Sequence, residues 1–371
     1  MKISIGTEII DGPFGGGNEF LKNLINYLDQ QGHKVINHLN DNDIDIILMT
    51  NPLMSSETSS FNSFDIESYL KFSNNKAIVL QRFNECDERK GTKGINVKLN
   101  KFNQVVDINI FVSDWLKNIF SDYDLSKKKS YVVKGGPNKK IFNNKDKKYW
   151  DKKSKLKLVT HHWSDNLMKG YLEYKQIDEF LEYENYKDLF EFTFIGNMPK
   201  NIRFNNINVL NPLTGESLSN ELKKHDIYIT ASENEPSGNH HMEGALCGLP
   251  ILFKDSGATA EYCHDFGVSY EIESFGKSLD SIKENYDDLV LKLNEYPYDF
   301  LNAAKDLDKI FEHSCNQKLE IIKSRKLRSK PSIFIRHQQN KIFRILYYKY
   351  YFVKKILGRT KYNIKNVAQS Y

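Results

Sequence analysis

A chain of 371 residues with 40% hydrophobic content exceeds the comfortable size of one core and has enough apolar residues for two. Its four cysteines, at positions 86, 247, 263 and 315, share no paired spacing, which excludes a disulfide framework and leaves free thiols of a reducing compartment. The formal charge of +5, from 53 basic and 48 acidic residues, hides a division, because everything after Glu320 carries 14 Lys or Arg and no Asp or Glu, leaving the body at −9.

The chain passes from Met1-Lys2 straight into a strand pattern, MKISIG, with no hydrophobic signal core, as a cytoplasmic protein does. The run GPFGGGNEF follows, then Phe20, Leu21, Leu24, Ile25 and Leu28 at helical spacing up to Gly32, and the strand HKVINHL. This is a βαβ start whose glycines, Gly15, Gly16 and Gly17, let backbone approach a phosphate or sugar at the helix N-terminus; a plain tight turn is the alternative. Further strands are predicted at 44–49, 77–80, 108–112 and 131–133, the alternation of a parallel α/β sheet. After the second of them comes QRFNECDERKGTK, where Asn84, Glu85 and Asp87 offer polar contacts or form a solvated loop. The charged stretch NNKDKKYWDKKSK, residues 143–155, reads as an interdomain linker.

The second half restarts with a strand at 156–159, the polar loop THHWSDNLMKG and a helix. His161 and His162 either cap and pack the strand end or touch a ligand, and they have no acidic or Cys partner at zinc-ligand spacing. Strands at 192–196, closed by Asn197, and at 208–210 lead through a helix at 218–222 to a strand at 227–229. There ITASENEPSGNHHMEGALCGLPI places Glu235 on a strand-exit loop and Glu243 in the following helix, across the Pro236-Ser237-Gly238 break. Both carboxylates can face one ligand lying across the helix N-terminus, where the amides of Ser237, Gly238 and Asn239 suit a phosphate, and a carboxylate suits a vicinal diol. The spacing alone is equally that of a surface helix with two solvated acids. Another strand and the turn Ser256-Gly257-Ala258 follow.

The basic tail, 321–371, includes IFRILYYKYYFVKKILG, too short and too charged to span a bilayer. Wound as a helix, it sets Ile342, Ile345, Leu346, Tyr350, Val353, Ile356 and Leu357 along one side and Arg344, Lys355 and Arg359 along the other, with Lys349 among the apolar residues. Its apolar side favours an anionic membrane surface over nucleic acid, for which no binding module precedes it. Packing of its aromatics back onto the first domain is the third reading.

Taken together, these segments resemble the retaining GT-B glycosyltransferases of the family-four type (glycosyl transferases group 1). Their E-x7-E signature, roughly E-G-F-G-x-x-x-x-E-A-M-A-x-G-x-P-V, is matched here by EPSGNHHMEGALCGLPI, with Pro236-Ser237 where Gly-Phe is common. Gly32-His33, VSDWLKNIF, VVKGGPNKKIF and the turn at Gly257 with Glu261 match other segments of the family, and the likeness covers about residues 1 to 320. The resemblance implies an α/β fold of two Rossmann-like domains facing across a cleft, an acceptor domain at 1–142 and a nucleotide-sugar domain at 156–320. It implies transfer of a sugar from a nucleotide-diphosphate sugar to a hydroxyl of a glycan or lipid-linked acceptor, with retention, no metal and no cofactor. By the same resemblance Glu235 contacts the donor sugar, Glu243 takes the ribose hydroxyls, and Lys169 before Gly170 neutralises the diphosphate. Gly16, Gly17, His162, Asn197, Ser237, Gly238 and Gly257 are the further substrate-binding candidates, and Asn84, Glu85 and Asp87, in the candidate acceptor loop of the first domain, offer polar contacts to a glycan. An Arg usual about five residues before the Lys is absent here, with His161, His162 and Trp163 on that approach. A GT-B sugar-nucleotide epimerase and a nucleotide-sugar-binding protein without turnover share these features. The expected location is cytoplasmic, peripheral on the membrane face where the tail engages it.

Overall fold

The computed structural model describes residues 1–10, 16–52 and 58–368, the last eighteen of them as backbone only. Gly15 of the glycine run lies outside the described residues. Twelve strands form two six-stranded parallel sheets. The first contains β1 (Lys2–Ile5), β2 (Lys34–Ile36), β3 (Ile46–Met49), β4 (Ile78–Phe83), β5 (Ile108–Phe111) and β6 (Lys129–Val132), in the order β2-β1-β3-β4-β5-β6. The second contains β7 (Leu156–His162), β8 (Phe190–Gly196), β9 (Asn208–Leu210), β10 (Ile227–Thr230), β11 (Ile251–Phe253) and β12 (Gly267–Ser269), in the order β12-β11-β10-β7-β8-β9. The two six-stranded sheets, each with surrounding helices, give the α/β two-domain architecture expected of the sequence.

Strand β3 reads as an unbroken apolar run because both faces of the sheet are covered there. Ile46, Ile47, Leu48 and Met49 of β3 are all fully buried, Ile46 and Leu48 packing toward the helix Gly16–Gln30 and Ile47 and Met49 toward the helix Ser63–Phe72. In the first of these helices Leu24 and Leu28 are wholly buried, each contributing roughly 1.5–3 kcal/mol.

The domain boundaries differ from the sequence reading. Ile141 and Phe142 pack into the core of the second sheet, so the chain crosses between domains near Pro137 rather than after residue 142. The 143–155 stretch is not a free linker, since Trp150 packs edge-on to Tyr286 and Lys147 is buried with its ammonium on the His225 carbonyl. A long basic side chain can cover apolar surface with its stem, so charge density alone misreads such a segment. The chain then crosses back beside its first crossing, where the Phe300 N–H donates to the Pro137 carbonyl at 3.0 Å. The helix Phe300–Asn316 buries Ala303, Ala304, Leu307, Ile310 and Phe311 against Ile3, Leu24 and Leu28, so these residues belong with the first sheet and not with residues 156–299.

The tail is likewise tied to the first domain at its start. Arg325 pairs with Asp107 and donates to the Asn75 and Ala77 carbonyls, Arg328 pairs with Glu67 at 2.7 Å, and Arg344 with Asp65 at 3.2 Å. A long helix, Lys330–Ala368, begins there, with Ile333 buried and Asn340 bonded to Asn62. Among the described residues no helix is long and apolar enough to cross a membrane.

Candidate active site

In the second sheet the strand order reverses between β7 and β10, with β8 and β9 on one side and β11 and β12 on the other. Loops leaving the carboxyl ends of such neighbours diverge and open a crevice. The loop after β7 carries Lys169, and the loop after β10 carries Glu235 into the helix Asn239–Leu246, which holds Glu243.

Two glycines bring these loops together. Gly170, at φ +88°, leaves no room for a side chain, since a Cβ would lie 2.4 Å from the Ala231 carbonyl oxygen. The Lys169 turn is thereby pressed against the exit of β10, and its ammonium meets Glu235 Oε2 at 2.9 Å. Gly257, at φ +71°, would place a Cβ 2.3 Å from the Glu235 amide nitrogen, and the two residues pair as an isolated bridge. Its position makes it a backbone support for Glu235.

Glu235 is only 5% exposed and takes a second cation, Arg89, at 2.9 Å. Arg89 comes from the first domain, in the short helix Asp87–Lys90 after β4, and also donates to the Glu233 carbonyl at 2.7 Å and the Met168 carbonyl at 3.1 Å. Burial works to raise the Glu235 pKa, but Lys169 and Arg89 outweigh it and hold the carboxyl below its ordinary value. Burial draws the Lys169 pKa down, with Glu235 opposing and Arg89 adding to the shift. A second cation, Arg89, thus reaches Glu235 from the first domain. Its signal was present in the charged loop QRFNECDERKGTK, in which sequence reasoning selected the neighbouring polar residues instead.

Glu243 is fixed through one oxygen. Its Oε2 accepts from His161 Nε2 at 2.6 Å, while His161 Nδ1 lies 3.1 Å from the Tyr228 hydroxyl, which in turn accepts the His161 backbone N–H at 3.1 Å. An ionised carboxylate only accepts, so this chain sets the proton on Nε2. Glu243 Oε1 has no hydrogen-bond partner among the described residues. His162 is turned into the interior, 2% exposed, with Nε2 3.0 Å from the Tyr174 hydroxyl, so His161 and not His162 reaches the carboxylate. His240 sits on Thr230 Oγ1 at 2.9 Å, and neither ring nitrogen of the fully buried His241 has a hydrogen-bond partner among the described residues. Burial draws His162 and His240 well below the usual imidazole value and His241 down to about 4, so these three rings are neutral near pH 7. The positive charge at Glu235 comes from Lys169 and Arg89.

The other sequence-predicted residues separate clearly. Gly238 is the N-cap of the helix Asn239–Leu246, and Ser237 Oγ lies 3.2 Å from the Tyr262 hydroxyl. Gly16 faces this helix start from the first domain, its missing Cβ 2.8 Å from Asn239 Nδ2, and Gly17 lies beside Asn84, which is exposed. Asp87 is not available to a ligand, because its carboxylate accepts from Thr92 Oγ1 and from the amides of Gly94, Ile95 and Asn96 at 2.8 to 3.0 Å, capping the next helix. Glu85 pairs with Lys90 at 3.0 Å on the surface. Asn197 braces the loop by donating to the Trp163 carbonyl at 2.7 Å. Glu261, outside the proposed contacts, accepts the Asp114 and Trp115 amides at 3.0 and 2.6 Å and pairs with Lys134, which joins the two domains at a second point. Among the described residues no group of three His, Cys, Asp or Glu is placed to hold a metal ion.

No protein-family model matches this chain, and no curated protein matches it in sequence. In structure it is similar to HepE of Anabaena, solved with UDP (TM-score 0.61, 10% identity, 84% of this chain and 99% of that one). It is similar also to sucrose-phosphate synthase of Thermosynechococcus elongatus (TM-score 0.58, 10% identity, 84% and 98%). An α-glucosyltransferase solved with UDP-glucose and DNA containing an abasic site gives a TM-score of 0.54 at 14% identity, over 84% of this chain and 99% of that one. With their likeness added to the two facing parallel sheets, the chain has the GT-B fold, two Rossmann-like domains with a cleft between them.

Proposed function

We propose that this protein transfers a sugar from a nucleotide-diphosphate donor to a hydroxyl acceptor, a glycan or a lipid-linked one, with retention and without a divalent metal. The observation that carries the reading is the charge layout at the β7/β10 crevice, with Glu235 held between Lys169 and Arg89 and Glu243 keeping one oxygen open. The Lys169 ammonium has three donors and gives one to Glu235, which leaves two for diphosphate oxygens. The first amides of the helix Asn239–Leu246 lack intrahelical acceptors and add to the same anion site. As the bond from the sugar C1 to the diphosphate oxygen breaks, negative charge grows on that oxygen, and fixed cations there stabilise the transition state more than the bound donor. The acceptor oxygen forms its bond to C1 on the face the diphosphate leaves, and its proton passes to the departing phosphate oxygen. Glu243 Oε1 takes the ribose hydroxyls, and Glu235 the donor sugar. The acceptor approaches from the first domain, past Gly16, Gly17 and Asn84. That neighbours of the same fold were solved with UDP and with UDP-glucose supports a nucleotide sugar as the donor.

Purified protein incubated with a panel of nucleotide sugars should release nucleotide only when a glycan acceptor is present. Release of an altered sugar without acceptor would replace the reading by an epimerase, and binding without release by a nucleotide-sugar-binding protein. Within this scheme Glu243→Ala should weaken donor binding by about 1.5–3 kcal/mol, the range for hydrogen bonds to a charged group, and Gln should recover part of it. Unchanged donor affinity in calorimetry would remove Glu243 from the ribose site.

A further inference from the structure

The helix Lys330–Ala368 is docked with its polarity reversed. The side facing the body carries Ile333, Asn340 and Arg344, which meet the start of the helix Ser63–Phe72. Asn340 bonds Asn62 at 3.2 Å and Arg344 reaches Asp65, the two residues that form the capping box of that helix. At about 100° per residue, these three positions share one side of the helix. The opposite side presents Ile335, Ile342, Phe343, Ile345, Leu346 and Tyr350, and each of the six is 55% to 66% exposed. In a helix held only by its own protein, the apolar stripe faces the core and the polar residues face water. Here the polar residues hold the helix to the body and the stripe is left outward, continued in sequence at the same spacing by Val353, Ile356 and Leu357.

The charges decide what covers it. The stretch from Lys330 to Tyr371 contains ten Lys or Arg and no Asp or Glu. A second copy packed on this stripe would bring two such runs together with nothing acidic between them, a repulsive arrangement. An acidic interface with an apolar interior suits both features, since Lys341 at the edge of the stripe and Lys349 within it are exposed and can extend to headgroups while the apolar residues enter the acyl boundary. At about 1.5 Å per residue the helix is roughly 58 Å long, enough to lie along a surface well beyond its anchor at Arg344. We propose that the outward face of this helix docks the protein on an anionic lipid surface. This goes beyond the transfer reaction and stands whether or not the donor reading does.

The test is co-sedimentation of the full chain with phosphatidylcholine vesicles, with and without phosphatidylglycerol, beside the double variant Ile342→Asp, Leu346→Asp. Both substitutions lie on the exposed side, so melting should be unchanged, which separates loss of docking from loss of fold. The wild type should partition to anionic vesicles at least about tenfold better than to neutral ones and lose part, not all, of that binding in added salt. The variant should lose at least about tenfold of the anionic-vesicle partition. Equal partition of wild type and variant would overturn the proposal. So would wild-type dimers that the variant converts to monomers, or binding to single-stranded nucleic acid in place of vesicles.

Discussion

Replacing Lys169 by Ala is expected to lower kcat/KM for sugar transfer by on the order of 10²–10³, the loss typical of one fixed electrostatic stabiliser. The side chain is 18% exposed and sits in a three-charge cluster, so its ammonium is held in position before any donor arrives. Arg89 remains in the variant and keeps Glu235 paired, which is why transfer should be impaired and not abolished. Divalent metal should not rescue the variant, and EDTA should leave the wild type unaffected. A fall of less than tenfold, or wild-type activity abolished by EDTA, would mean that another group neutralises the diphosphate. The pH profile gives a second reading. Burial draws the Lys169 pKa below the usual lysine range while Glu235 opposes it, so the cation is present at low pH and lost as pH rises through that depressed value. Transfer should therefore fall on the alkaline side, and Glu235→Gln, by removing the opposing carboxylate, should move that fall to lower pH.

The sequence was most legible where burial makes pattern unambiguous. Fully buried parallel strands such as β3 and β10 are written as nearly continuous apolar runs, Gly16 and Gly17 open the first helix, and the Lys169-Gly170 turn and the Glu235 to Glu243 segment fall at strand exits of the second sheet. What it could not supply was partnership between distant residues. Arg89 and Glu235 lie 146 positions apart in the chain and meet only because the domains face each other. Asp87 looked free because its four donors, on the loop and helix start that follow, are backbone amides and a threonine, invisible as a motif. His161 and His162 are adjacent and chemically identical, and strand alternation alone sends one toward Glu243 and the other into the tyrosine-lined interior. The charged 143–155 segment and the basic tail misled for a related reason, since charge was read as solvation while Lys147, Arg325 and Arg328 all use theirs against buried or half-buried acceptors.

Arg325→Ala is expected to destabilise the protein by about 3–5 kcal/mol, because it removes one partner of a buried ion pair and leaves the other behind. The Arg325 and Asp107 side chains are 5% and 3% exposed, and the guanidinium also satisfies the carbonyls of Asn75 at 2.8 Å and Ala77 at 2.7 Å. Among the described residues Asp107 would then keep one hydrogen bond, from the Val79 amide at 2.8 Å. Lys at position 325 should restore little, since one ammonium on a flexible stem cannot bridge a carboxylate and two carbonyls in the plane that the guanidinium fork spans. Urea unfolding monitored by tryptophan fluorescence measures the change, and a loss below about 1 kcal/mol would place this pair among weak surface bridges. The same pair bears on how the tail must be probed. Removing everything from residue 331 would take away Ile333, Asn340 and Arg344, which belong to the packing against the helix Ser63–Phe72, so instability of such a truncation would say nothing about membranes. The anchor at Arg325 and the outward stripe near Leu346 act on different surfaces of one segment, and substitutions at each should separate folding from docking: the first lowers stability and leaves vesicle binding of the folded protein intact, the second does the reverse.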